Sequence, residues 1–161
     1  MIYLDSGATT LEKPPAVARA MAQAVGEMSS PGRGNYPASQ KAARTAYDCR
    51  EAAAELFHVP APEQVIFTCN ATHGLNIAIR TLVRPGCRVA VSGYEHNAVT
   101  RVLHSIPGVE IMVADAPLFR PEQTLEGFRT ALRWGVDAVI CNHVSNVCLL
   151  YTSPSPRDMR R

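Results

Sequence analysis

Three polar segments of this chain each follow a short apolar run and carry side chains that could bind a phosphate-bearing ligand. In the first, Asn70, Ala71 and Thr72 form a turn that leads into a helical pattern. The start of a helix offers unpaired N–H groups and the positive end of the helix dipole, so such a turn can bind phosphate. Thr72 would add a hydroxyl donor, and Ala71 would let a ligand approach the backbone closely. Asn70 could also be an ordinary N-cap, which is the commoner meaning of this turn taken alone.

The second segment, residues 93–98, reads Gly-Tyr-Glu-His-Asn-Ala and contains the histidine that is best placed for chemistry. Ligands of open α/β sheets collect at the carboxyl ends of the strands, and His96 comes just after a predicted strand. There it could stack on an aromatic ring or exchange protons near neutral pH. The alternative is an ordinary histidine on a surface loop.

The third segment, residues 141–147, again follows a predicted strand and reads Cys-Asn-His-Val-Ser-Asn-Val. Asn146 carries a neutral amide that suits a hydrogen bond to a phenolic oxygen, although asparagine is also an ordinary turn residue. Each segment alone has a purely structural explanation, but all three would end at the same edge of one parallel sheet. We therefore predict that Ala71, Thr72, His96 and Asn146 converge on one cavity.

The elements that must position these segments alternate between strands and helices. Apolar runs rich in branched residues predict buried parallel strands at residues 65–68, 88–92, 109–114 and 137–141. Apolar residues at helical spacing predict helices that begin at Pro14-Pro15, after a Ser39 cap, and at residues 72–83, 97–105 and 124–134. This alternation predicts right-handed βαβ units and a three-layer α/β fold with a mostly parallel sheet.

Composition favours a globular domain and argues against several other classes of protein. The chain has 161 residues, of which 47% are hydrophobic and 19% charged, so it is long enough for a sizeable core. A net charge of +2 without a basic cluster argues against nucleic-acid binding. No apolar run reaches the ~20 residues of a membrane span, and no signal-peptide pattern is present, so we expect a cytoplasmic protein. The five cysteines show no close pairs, so neither a disulfide framework nor a metal site is expected.

Four motifs, in order along the chain, resemble those of cysteine desulfurases that depend on pyridoxal 5'-phosphate (PLP), within the class V aminotransferase family. Residues 1–10, Met-Ile-Tyr-Leu-Asp-Ser-Gly-Ala-Thr-Thr, resemble the family's opening segment. Residues 67–76 resemble its phosphate-binding turn, residues 95–97 its cofactor-stacking motif, and residues 143–147 its asparagine motif. The resemblance covers residues 1–148 and implies the N-terminal part of the large domain of a fold-type I PLP enzyme.

The resemblance also implies roles for individual residues. The Ala71 N–H and Thr72 would hold the PLP phosphate, His96 would stack on the pyridine ring and act in proton transfer, and Asn146 would contact the phenolic oxygen. The residues that would border the substrate are Ser6, Gly7 and Ala8. The implied partners are a small amino-acid substrate, a second copy in a full-length homodimer, and a sulfur-acceptor protein.

Some positions depart from the family pattern. Asn70 stands where many relatives have glycine, and His73 stands where many have glutamate. The chain contains two lysines, Lys13 and Lys41, and neither occupies the family's Schiff-base position. We therefore expect a truncated enzyme that is itself inactive.

The last residues differ in character from the rest of the chain. Residues 149–161 have no periodicity, contain two Ser-Pro pairs and end in basic residues. We expect residues 1–148 to form a partial large domain and residues 149–161 to be a non-native or disordered tail.

The function that we expect of the full-length protein is sulfur removal from L-cysteine, which gives L-alanine and an enzyme persulfide. The alternatives are another class V PLP enzyme (an aminotransferase, selenocysteine lyase or epimerase) or a non-catalytic nucleotide-binding α/β module. Against the last alternative, no G-x-G-x-x-G pattern follows any predicted strand.

Overall fold

A computed structural model of the protein describes residues 2–4 and 9–145. The chain divides into two units, Met1–Phe67 and Thr68–Arg161. The first unit contains helices α1 (Pro15–Glu27) and α2 (Pro37–Phe57), followed by a short 3-10 helix, Pro62–Gln64. In the second unit, helices α3 (Ala71–Leu82), α4 (Asn97–His104) and α5 (Pro121–Trp134) alternate with strands β1 (Arg88–Ser92), β2 (Glu110–Ala114) and β3 (Ala138–Ile140).

The predicted Ser39 cap is wrong, because α2 begins earlier than its polar residues indicate. Tyr36 is the N-cap and Pro37 occupies the first helical position. Proline suits that position because its fixed φ is already helical and its missing N–H would have no partner there. Ser39 therefore lies inside the helix, where it is 1% exposed. Its hydroxyl donates to the Ser30 carbonyl at 3.0 Å and so ties the helix to the preceding loop.

The predicted strand at residues 65–68 is also wrong. Val65 has an extended backbone, but residues 65–68 join no sheet among the described residues. The side chains of Ile66 and Phe67 are 70% and 51% exposed. An extended segment becomes a strand only when a neighbouring strand accepts and donates its hydrogen bonds. The apolar run predicted the backbone conformation, whereas pairing depends on a partner that the described residues do not supply.

The other three predicted strands are confirmed and form one parallel sheet in the order β2-β1-β3. Val91 at the centre of this sheet pairs with Val113 of β2 and Ile140 of β3. All five predicted helices are present, with ends that differ from the predictions by a few residues. The predicted α/β fold with a mostly parallel sheet is confirmed.

Helices cover both faces of β1. On one face, Val89 and Val91 pack in a single apolar cluster with residues of α3 and α4, including Ile79 and Leu103. Side chains alternate along a strand, so Ala90 points to the opposite face, and it is 0% exposed. Helix α5 lies on that opposite face, because its Gly127 approaches Ala114, the register partner of Ser92. The second unit is therefore a three-layer arrangement with β1 at its centre.

Gly127 allows α5 to approach the sheet closely, so Gly127→Ala should destabilise the protein. A Cβ at this position would lie 3.0 Å from both Cα and Cβ of Ala114, and backbone cannot move away as a flexible side chain can. We expect a loss of about 1–3 kcal/mol in the free energy of unfolding, measured by urea denaturation followed by circular dichroism.

The matched control is Gly26→Ala in α1, where an added Cβ would meet nothing within 4 Å. Alanine favours the helix, so this variant should be unchanged or more stable by up to about 1 kcal/mol. Equal stability of the Gly127→Ala variant and the wild type would contradict close packing of α5 on β2.

Candidate functional site

The first polar segment forms the start of α3, and Asn70 is its N-cap. The Asn70 Oδ1 accepts a hydrogen bond from the His73 N–H at 2.8 Å, so the capping interpretation of this residue is confirmed. Its backbone is extended, with φ −168°, and not left-handed. Thr68 Oγ1 donates to the Asn70 carbonyl at 2.9 Å, which fixes the approach of the chain to the helix.

The cap leaves two backbone donors at the start of α3 for a ligand. Ala71 and Thr72 are the first two residues of the helix, so their N–H groups have no carbonyl four residues earlier within it. Asn70 satisfies the third N–H, that of His73. Capping and phosphate binding are therefore compatible at this turn, because they use different N–H groups.

The second polar segment forms the start of α4, and His96 is its N-cap. The His96 Nδ1 accepts a hydrogen bond from the Ala98 N–H at 3.0 Å. An imidazole nitrogen that accepts carries no proton, so the proton of the neutral ring is on Nε2. The cap thus holds the ring by one nitrogen and leaves Nε2 for a ligand.

Thr72 and His96 both line one open cleft of about 410 Å³ between α3 and α4. The structure therefore brings together two of the four residues predicted to converge. Ala71, the neighbour of Thr72, does not line this cleft. Four predicted site residues lie outside the described part of the chain: Ser6, Gly7, Ala8 and Asn146.

The cleft is cationic. Arg80 of α3 and Arg101 of α4 belong to its lining, and its other members are neutral polar or apolar residues and His96. No aspartate or glutamate is among these lining residues, all of which belong to the described part of the chain. The electrostatics of the cleft therefore favour an anionic ligand.

Glu95 links the ends of two strands at this edge of the sheet. Its Oε1 accepts hydrogen bonds from the Ser92 hydroxyl at the end of β1 and, at 2.6 Å, from the Asn142 N–H just after β3. The Asn142 side chain donates in return to the Tyr94 carbonyl at 3.3 Å. The second and third polar segments are thereby held side by side.

Glu95 was expected only as part of the motif at residues 95–97, although its position in the sequence carries a signal for this link. The carboxylate of a residue just after one strand lies near the backbone N–H groups that follow the neighbouring parallel strand. It can therefore accept hydrogen bonds from those N–H groups.

Other kinds of site find no support in residues 2–4 and 9–145. No group of three His, Cys, Asp or Glu side chains there could hold a metal ion. Cys49, Cys69 and Cys87 are free thiols. No helix within it is long and apolar enough to span a membrane.

Comparison with known proteins identifies the family. The model of the family described as Aminotransferase class-V matches residues 2–148, almost the whole chain. The chain therefore belongs to the class V aminotransferase family, whose cofactor is PLP. The predicted family is confirmed.

Two relatives are longer proteins that the chain matches over part of their length. It is 32% identical over 102 residues to a "Probable cysteine desulfurase" of Pseudomonas aeruginosa, a match that covers 61% of this chain and 25% of that protein. Its fold resembles that of a C-DES mutant with glycine covalently linked to the PLP cofactor, with a TM-score of 0.65 and 20% sequence identity. That match covers 83% of this chain and 36% of the neighbour. The chain thus spans about a quarter to a third of the length of these relatives.

Substitution of Glu95 tests whether its carboxylate holds the two strand ends together. Glu95→Gln keeps the shape but replaces one oxygen by a donor and removes the charge that strengthens both hydrogen bonds. We expect a loss of about 1–3 kcal/mol in the free energy of unfolding and faster hydrogen exchange at the Asn142 N–H.

Glu110→Gln is the matched control, since Glu110 is an exposed residue of β2 and the substitution makes the same change of charge. It should change stability by less than about 0.5 kcal/mol. If both variants lose the same stability, Glu95 contributes only net charge and does not link the strands.

Proposed function

We propose that this chain carries the cofactor-phosphate site of a PLP-dependent cysteine desulfurase. The observation that supports the proposal most directly is the start of α3, where two N–H groups remain available beside a threonine hydroxyl. A phosphate monoester needs several hydrogen-bond donors and no nearby carboxylate. Among the described residues, the lining of the adjoining cleft contains no carboxylate. The donor set therefore fits the phosphate of PLP.

Four residues would share the contacts with the cofactor. The Ala71 and Thr72 N–H groups and the Thr72 hydroxyl would bind the phosphate. His96 would contact the pyridine ring, with its orientation set by the hydrogen bond from the Ala98 N–H. Asn146 remains the proposed partner of the phenolic oxygen, on the strength of the family motif at residues 143–147.

PLP supplies an electron sink for bonds broken at the α-carbon of an amino acid. The reaction we propose for the whole protein is removal of sulfur from L-cysteine, with L-alanine and an enzyme persulfide as products. The similarity to the Pseudomonas aeruginosa protein supports this reaction over those of other class V members. A homodimer, a sulfur-acceptor protein and a cytoplasmic location belong to the same proposal.

Replacement of Ala71 by proline tests the phosphate contact with little risk to the fold. Proline is favoured at the first helical position, and the extended backbone of Asn70 is compatible with a following proline. Ala71→Pro removes one donor to the phosphate, so PLP affinity should fall by about tenfold in equilibrium dialysis. Thr72→Val, which removes the hydroxyl, should have a similar effect.

Thr81→Val is the control for the loss of a hydroxyl on α3. The Thr81 hydroxyl donates to the Ile77 carbonyl within the helix, one residue before its end, and should not influence PLP. Pyridoxal, which lacks the phosphate, should bind more weakly than PLP and equally to all variants. The phosphate proposal is wrong if pyridoxal binds as tightly as PLP.

We also expect the 161-residue chain to release no sulfide from cysteine above the background of free PLP. Its two lysines are engaged in the first unit: Lys13 Nζ donates to the Thr10 carbonyl at 2.7 Å, and Lys41 forms an ion pair with Glu27. The hydrogen bond from Lys41 lowers the pKa of the Glu27 carboxyl, as expected for a charged ammonium group. Sulfide release that scales with protein concentration would contradict the expectation.

A further inference from the structure

Arg80 and Arg101 are charged side chains whose role the cofactor proposal does not explain. Some arginines of the chain are paired with carboxylates, as Arg129 and Arg133 are with Glu126 on α5. Within residues 2–4 and 9–145, neither Arg80 nor Arg101 forms an ion pair. Two guanidinium groups therefore line one cleft without a described carboxylate to neutralise them.

The structure holds one of these guanidinium groups in place. The Arg80 Nη2 donates to the Ser105 hydroxyl at 2.8 Å, and that hydroxyl donates in turn to the Val102 carbonyl at 2.7 Å. The Arg80 side chain thus reaches from α3 to the end of α4, where Arg101 is located. A guanidinium group that is already oriented loses less conformational entropy when it binds an anion.

The cationic end of the cleft is separate from the start of α3. Arg80 follows Thr72 by two turns of α3, which corresponds to about 12 Å along the helix axis. A phosphate bound at the Ala71 and Thr72 N–H groups would therefore not reach the Arg80 guanidinium. A smaller adjoining cleft of about 220 Å³ shares Arg80 and Ser105 and adds Arg84, which extends the positive charge further from Thr72.

We propose that Arg80 and Arg101 form a second anion subsite, which binds the phosphate group of a small molecule. Two guanidinium groups carry two positive charges, and a phosphate monoester at neutral pH carries nearly two negative ones, whereas a carboxylate carries one. Guanidinium groups also match the geometry of phosphate oxygens through paired N–H donors. The ligand is either inorganic phosphate itself or a phosphorylated metabolite. The proposal does not depend on the identity of the cofactor.

Titration with inorganic phosphate tests the subsite directly. Binding would be measured by calorimetry at constant ionic strength, with sodium chloride as the reference salt. We expect wild-type protein to bind phosphate, and Arg101→Gln and Arg80→Gln each to weaken it by about tenfold. Arg129→Gln removes the same charge from α5 and should leave phosphate affinity unchanged.

One further variant and one further probe separate this subsite from its alternatives. Arg101→Lys keeps the positive charge but loses the paired N–H donors of the guanidinium group. This variant should bind phosphate with intermediate affinity. Glycerol 3-phosphate identifies the source: much tighter binding than inorganic phosphate indicates a phosphorylated metabolite, and equal binding indicates free phosphate. Both results require the dependence on Arg80 and Arg101.

Failure of this proposal differs from failure of the cofactor proposal. If Ala71→Pro abolishes phosphate binding while Arg101→Gln and Arg80→Gln do not, phosphate binds at the start of α3 and the proposal of a second subsite is wrong. Equal losses of phosphate affinity in Arg80→Gln, Arg101→Gln and Arg129→Gln would also overturn the proposal, because net charge alone would then explain binding. If phosphate binding depends on Arg80 and Arg101 but PLP does not bind, the subsite stands and the cofactor proposal falls.

Discussion

The burial of β1 between two layers of helices is the constraint on which the second unit depends. Val89 and Ala90 are 0% exposed, although their side chains point to opposite faces of the sheet. A strand of this kind must be apolar on both sides and must satisfy its backbone through neighbours on both edges. β2 and β3 supply those hydrogen bonds, and α4 and α5 cover the two faces. The helices α3 and α4, whose starts carry Thr72 and His96, pack against this strand in one apolar cluster.

β3 is short, and its position is determined at both of its ends. Before it, Asp137 accepts from the Arg88 N–H at 2.7 Å and its own N–H donates to the Arg88 carbonyl at 2.8 Å. After it, the Asn142 N–H donates to Glu95. The Arg88 guanidinium also donates to the Trp134 carbonyl and lies over the Trp134 ring, which ties the end of α5 to the start of β1. A three-residue strand has few ladder hydrogen bonds of its own, so these polar contacts maintain its register.

The candidate site uses polar groups for two purposes at once. Asn70 and His96 each cap a helix, and in doing so they leave the N–H groups and the ring nitrogen beside them available. In the cleft between α3 and α4, Val102 also belongs to the apolar cluster around β1, whereas Arg80 and Arg101 are exposed. Structural and ligand-binding roles are therefore compatible in one short helix pair.

The sequence by itself determined the class of fold, the family and the order of elements in the second unit. Apolar runs and helical patterns are local properties, so β1, β2, β3 and the helices between them followed from neighbouring residues alone. Local patterns failed where the outcome depended on distant groups. Residues 65–68 have the composition of a strand but no described partner strand. Helix α2 begins at Pro37 and not after Ser39. Only the tertiary structure decided that Thr72 and His96 share one cleft, that Glu95 links two strand ends, and that Arg80 and Arg101 lie together without a described carboxylate. The physical reason is that hydrogen-bond partners and charge neutralisation are set by contacts between residues far apart in the chain, which no local pattern encodes.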